Sequence, residues 1–303
     1  MIPLWLAWAA LAGPCAGQEP VACAESGVER ILAGDPTGLE LVRDACAQGA
    51  PLACYRLGSA LLDAPGIAPD PPAAAAALRT ACDAEQAEAC ADLGQLFVRG
   101  TGVSNDPPTA RRLVQRSCDL GFLRACGEVG GMWVGGYGGP ADPSNGRALA
   151  VKGCEGTLHG PTCERAAALL AEGVGGPTDV AGARRLQAKA CTAGHPTSCS
   201  VVATHLHQAG DSNSARELAT RGCALDAGDS CVLVGILELR GLGGAEDPRS
   251  ALLHLVRGCD AGHARACQAA GALLAEGKRV PLDTARSSEL LARACTLDPG
   301  LCP

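Results

Sequence analysis

The sequence predicts an all-α fold, a right-handed α/α solenoid of helix-turn-helix repeats stapled by disulfides. Three observations carry this reading. Cysteines fall into pairs about eight residues apart. The pairs recur about every 36 residues. Asp, small residues and Leu stand at fixed offsets from each pair. A period of this length means stacked supersecondary units that bury their apolar faces against neighbours.

The first members of eight pairs are Cys46, Cys82, Cys118, Cys154, Cys191, Cys223, Cys259 and Cys295, at steps of 36, 36, 36, 37, 32, 36 and 36 residues. Their partners are Cys54, Cys90, Cys126, Cys163, Cys199, Cys231, Cys267 and Cys302. Twelve residues before the first cysteine stands an Asp in seven repeats: Asp70, Asp106, Asp142, Asp179, Asp211, Asp247 and Asp283. Pro follows at Pro71, Pro107, Pro143 and Pro248. Asp as N-cap with Pro at the first helical position starts a helix. A helix B of about twelve residues therefore runs from each Asp to the first cysteine.

The second cysteine opens a helix A. Four residues beyond it stand Gly58, Gly94, Gly130, Ala167, Ala203, Gly235 and Gly271. Eight residues before each first cysteine the side chain is again small: Gly38, Ala74, Ala110, Gly146, Ala183, Ala215, Ala251 and Ser287. Glycine inside a helix costs about 1 kcal/mol against Ala, so its recurrence at one register marks a close crossing of helices A and B. Glycine-rich turns end helix A.

Eight residues along one helix span about 12 Å, whereas a disulfide needs Cα atoms roughly 4.4–6.8 Å apart. The chain must turn between paired cysteines, as at Asp119-Leu120-Gly121. Each bridge would then tie the end of one helix B to the start of the next helix A. Zinc is the competing reading, but structural zinc pairs stand two to four residues apart and two must converge on one ion.

Residues 1–17 read as a secretory signal. Leu4 to Gly13 is apolar, and Ala16 and Gly17 offer a cleavage site before Gln18. Cleavage there removes Cys15 and leaves Cys23 an odd thiol. A lipid anchor on Cys15 is disfavoured by Pro14. Eighteen cysteines behind such a segment place the protein in an oxidising, secreted or periplasmic location. The repeats divide at about 52–86, 87–122, 123–158, 159–195, 196–227, 228–263 and 264–299, after a degenerate cap over 18–51. A net charge of −7 and 2% aromatics argue against a nucleic-acid partner. No other stretch is long and apolar enough to span a bilayer.

The run Ala89-Cys90-Ala91-Asp92-Leu93-Gly94, continuing to Gly100-Thr101-Gly102-Val103, Asp106, Ala110 and Cys118-Asp119-Leu120-Gly121, resembles the Sel1-like repeat family. The likeness is to its cysteine-rich secreted branch, typified by the Helicobacter cysteine-rich proteins. It covers roughly residues 20–303. Tetratricopeptide repeats are the neighbouring alternative, at about 34 residues and without paired cysteines. The resemblance implies a superhelix whose concave face takes a protein or cell-envelope partner. It also implies binding or slow hydrolysis of β-lactams. The Ser-x-x-Lys, Ser-Asp-Asn and Lys-Thr-Gly elements of the serine enzymes are absent from the chain. His205 and His207 are the only close histidine pair, and residues two apart face differently on a helix.

The expected function is accordingly a partner-binding scaffold without catalytic residues, metal or cofactor, with a weak β-lactam- or peptidoglycan-directed hydrolase as the alternative. Trp133 and Tyr137, beside a glycine-rich turn, are the candidates for a local binding feature, against helix-A core for Trp133. His159, His195 and His263, in the loops between paired cysteines, could form a metal or haem ridge, against ordinary exposed loop residues.

Overall fold

The computed structural model describes residues 14–157 and 159–302. The apolar run Leu4 to Gly13 lies outside them. Sixteen α-helices and a short 3-10 turn occur among the described residues, and no strand. In chain order they are α1 Pro20–Leu32, α2 Gly38–Ala47, α3 Pro51–Asp63, α4 Pro71–Asp83, α5 Ala87–Arg99, α6 Pro107–Asp119, α7 Leu123–Gly135 and α8 Pro143–Gly156. They continue as α9 Gly160–Glu172, α10 Val180–Thr192, α11 Pro196–Gln208, α12 Ser212–Ala224, α13 Gly228–Leu239, α14 Pro248–Asp260, α15 Ala264–Glu276 and α16 Thr284–Leu297. Odd-numbered helices are helix A of each repeat and even-numbered ones helix B. The chain divides into two compact units at Gly153 and Cys154.

The Asp register sets where helix B begins. Each of the seven carboxylates accepts a hydrogen bond from the backbone N–H three residues on: Ala73, Thr109, Asn145, Gly182, Ser214, Ser250 and Arg286, at 2.8–3.1 Å. Such caps satisfy donors that have no partner inside the helix. Within each unit, helix A packs on the helix B that follows, and α3 packs back on α2 as α5 does on α4. In the second unit α11 also meets α13, and α13 meets α15, one repeat apart.

The small residues stand where the hairpin closes. A Cβ on Gly130 would lie 2.7 Å from the Gly146 carbonyl oxygen and 2.9 Å from the Ala150 nitrogen. No side chain fits between these backbones. In the second unit Ala167 and Ala203 take the same register, facing Ala183 and Ala215, and all four are buried. The core is otherwise thin in large residues. Leu78, Leu93, Val114 and Val129 are fully buried in the first unit, and Leu186, Val234, Leu237 and Leu255 in the second.

Nine cysteine pairs stand at disulfide distance. Eight join the end of a helix B to the helix A or chain end that follows, with Cα atoms 4.4–4.7 Å apart. The ninth joins Cys15 to Cys23. With Cys15 present, Cys23 has a partner; the odd thiol expected from the sequence belongs to a chain cut before Gln18. The turn before α1 carries Cys15 against α2, where its N–H donates to Asp44 Oδ2 at 2.9 Å, and both cysteines are buried. Among the described residues no group of three His, Cys, Asp or Glu could hold a metal ion.

The cap expected over 18–51 is an eighth hairpin. Helices α1 and α2 cross at Gly27 and Gly38, where a Cβ on Gly27 would sit 2.6 Å from the Gly38 oxygen. These residues stand four after Cys23 and eight before Cys46, the shared register. What is degenerate is the start of α2. Asp35 binds the Thr37 N–H and hydroxyl in a turn ahead of the helix instead of capping it.

Candidate functional site: a groove on the helix-A face of the first unit

Side chains that share a helix-A register one repeat apart come to lie beside each other. In the first unit this builds a groove of about 570 Å³ across three successive helices. Helix α3 contributes Tyr55, Ser59, Leu62 and Asp63. Helix α5 contributes Glu88, Ala91, Asp92, Gln95, Leu96 and Arg99. Phe122, Arg124 and Glu128 close the far side from the start of α7. Its lining mixes the apolar Leu62, Ala91, Leu96 and Phe122 with four carboxylates and two guanidinium groups.

The electrostatics of the groove are uneven. Glu128 is well held: Gln95 Nε2 donates to Oε2 at 3.0 Å, and Arg124 Nε lies 3.5 Å from Oε1. Glu88 accepts from Gln86 Nε2 at 2.8 Å. Asp92, between them, has no ion-pair partner among the described residues. Burial pushes its carboxyl above the usual range, and the charges of Glu128 and Glu88 push the same way. The Tyr55 hydroxyl and Arg124 offset part of this. The Tyr55 phenol is likewise raised, by burial first and then by Asp92. Desolvation and like charge both disfavour the ionised carboxylate.

The residues singled out in the sequence lie elsewhere. Trp133 packs at the edge of the core, against the cluster of Ala91, Val114 and Val129, as the core reading expected. It is half-buried, its Nε1–H donates to Gln115 Oε1 at 2.9 Å, and the Arg111 guanidinium lies 4.2 Å from the ring centroid. Arg111 also donates to the Pro140 carbonyl at 3.0 Å. The pair ties α6, α7 and the glycine-rich turn together.

The loop histidines also serve as ties. His195 Nε2 lies 3.0 Å from Glu164, and His263 Nε2 lies 2.9 Å from Asp229, each a carboxylate on the helix A one repeat earlier. His159 Nδ1 meets the Thr162 hydroxyl at 2.8 Å. These rings face their own partners rather than a shared ligand. The groove itself was missed in the sequence. Tyr55, Asp92 and Glu128 are more than thirty residues apart, and only the register count after each second cysteine brings them together.

The helix-turn-helix unit, its cysteine register and its glycine crossings invite comparison with known repeats. The Sel1 repeat model matches residues 51–84, 87–122 and 228–263. Those three segments are Sel1 repeats. Two of the matched repeats supply α3 and α5 of the groove. Among solved structures, the chain is similar to a Sel1 repeat protein from Oxalobacter formigenes, with a TM-score of 0.66 at 19% identity, over 92% of this chain and 83% of that one. It is also similar to a protective antigen of uropathogenic Escherichia coli strains that displays an SLR fold, with a TM-score of 0.64 at 17% identity, over 91% and 68%. These likenesses establish the fold of a Sel1-repeat solenoid. No curated protein matches the chain.

Proposed function

We propose that this protein is an exported scaffold, secreted or periplasmic, that holds a segment of a partner polypeptide in the groove formed by α3, α5 and α7, with no chemistry of its own. Stacked helical repeats present extended surfaces of variable side chains to partners. The observation that carries the reading is the groove, lined by Tyr55 and Phe122 together with charged side chains from three consecutive repeats. Nine cysteine pairs fit an oxidising location, and no described helix is long and apolar enough to cross a membrane.

Export requires removal of a leader. A cut before Gln18 would take away Cys15, which is buried and bonded to Cys23. We therefore place the cut on the N-terminal side of Pro14. Intact mass of the exported protein checks this. A mass that includes Cys15, with no thiol free to alkylate, is the expected result. A chain starting at Gln18 with an alkylated Cys23 contradicts it.

The binding reading is tested by a photo-crosslinking amino acid placed at Gln95 in the groove, or at exposed Arg185 on α10 as a control, in the exported protein. The expected result is a discrete adduct from position 95 and none from 185. Equal labelling from both positions, or none from 95, overturns the assignment of the groove.

A further inference from the structure

We infer that the groove recognises a basic side chain, arginine or lysine, on an extended segment of its partner, with the cationic group seated beside Asp92. The inference rests on the groove reading above and adds the partner's chemistry.

Charge complementarity carries it. Four carboxylates line the groove, Asp63, Glu88, Asp92 and Glu128, against two guanidinium groups, Arg99 and Arg124. One of those cations is already committed, since Arg124 pairs with Glu128. Arg99 is exposed at the helix end, and Arg56 on α3 lies 5.9 Å from the Tyr55 ring. Asp92 is left as the carboxylate most drawn from water, facing acids from its own helix and from α7 and a phenol from α3. Asp92 has the Tyr55 hydroxyl and only a share of Arg124, which pairs with Glu128, and a carboxylate drawn from water with so little compensation is a cost. A guanidinium or ammonium arriving with a partner would satisfy it with charge-assisted hydrogen bonds.

Internal comparison among the repeats supports a specific role. The residue two after the second cysteine is Arg56, Asp92, Glu128 and Arg165 through the first repeats, then Val201, Leu233 and Ala269. This register is charged on one stretch of the chain and aliphatic on the next, so the repeat fold itself does not demand a carboxylate there. The residue after the second cysteine is Tyr only at Tyr55. Elsewhere it is Ala91, Gly127, Glu164, Ser200, Val232 or Gln268.

The test uses the full oxidised chain and three short capped peptides that are identical but for one central residue: arginine, glutamine or glutamate, flanked by leucines. Backbone amide shifts report the site. The arginine peptide is expected to move the resonances of Tyr55, Asp92 and Glu128, and the glutamine peptide to bind about tenfold more weakly. Asp92→Asn should remove that preference, so that the arginine and glutamine peptides bind alike. The preference should also weaken as pH falls, because protonated Asp92 no longer attracts the cation.

If the glutamine or glutamate peptide binds the same residues as tightly as the arginine peptide, the basic-side-chain inference is wrong and the groove reading stands. If none of the three moves a groove resonance, both fall. If Asp92→Asn lowers the unfolding temperature and leaves the arginine preference intact, Asp92 is a structural residue and the inference fails.

Discussion

Asp92 in α5 and Glu238 in α13 are both carboxylates drawn into a helix-A face, and their surroundings are opposite. Glu238 is buried, with Arg216 Nη2 at 3.5 Å, His254 Nδ1 at 2.8 Å and the Ser250 hydroxyl donating at 2.8 Å. Its charge is compensated from both neighbouring helices B, α12 and α14. Asp92 has the Tyr55 phenol, two more acids and the charge of Arg124, which is paired with Glu128, around it. The contrast teaches how to separate structural from functional polar groups in a repeat protein. A satisfied buried carboxylate holds its own repeat together. One whose charge is only partly offset, as at Asp92, points outward, to something the chain does not contain.

The two units differ in composition in the same sense. Every aromatic beyond the first thirteen residues, Tyr55, Phe97, Phe122, Trp133 and Tyr137, lies in the first unit, and all six histidines lie in the second. In the second unit the helix-A register that carries Asp92 and Glu128 holds no acid: it has Arg165, then Val201, Leu233 and Ala269.

The largest effect is expected where both units obey one rule most strictly. Gly130→Val places a side chain against the Gly146 and Ala150 backbone and should cost about 4 kcal/mol or more, the range of a forced backbone shift. Ala203→Val, at the same register where a Cβ already fits, should cost less, about 1–3 kcal/mol. Thermal unfolding of the oxidised proteins ranks the two. Equal losses would mean that the first unit's crossing is no tighter than the second's.

Glu238→Ala leaves Arg216 and His254 uncompensated and should cost about 3 kcal/mol, read as a fall in denaturant midpoint. A loss under about 0.5 kcal/mol would undo the contrast with Asp92. Replacing both Cys82 and Cys90 by Ala removes one staple and should cost about 2–3 kcal/mol by the chain-entropy model. Removal of the Cys295–Cys302 pair should cost less, because Cys302 is exposed whereas Cys82 and Cys90 are buried. The smallest effect concerns the turn between paired cysteines. Glu85 takes φ 64° where Gly49, Gly121, Gly194 and Gly262 stand in other repeats. Glu85→Gly should be neutral to stabilising by about 0.5–1 kcal/mol.

Much of the fold is legible in the sequence because one residue type answers one physical need at each register. Asp at minus twelve supplies a cap, and a small residue at minus eight and plus four admits a crossing. Paired cysteines flank a turn that neither end of one helix could span. The first hairpin escapes this reading because Asp35 is one residue out of register, although Gly27 and Gly38 keep theirs. The groove is less legible. Its residues sit in the positions free to vary, where a single sequence has no pattern to reveal. The one available signal was the crowding of the aromatics into residues 55–137, and it points to Tyr55 as readily as to Trp133. Trp133 drew attention beside its glycine-rich turn, yet its ring is engaged by Arg111 and Gln115.

Asp92→Asn tests the central claim most directly, through stability and binding measured on the same protein. The raised carboxyl holds more protons folded than unfolded, so its ionisation lowers stability as pH rises from the ordinary carboxylate range through the raised value. Removing the charge should therefore keep or raise the unfolding temperature at neutral pH, flatten that part of the pH profile and weaken binding of the arginine peptide about tenfold. A lower unfolding temperature with unchanged peptide binding would contradict the account and make Asp92 a second Glu238.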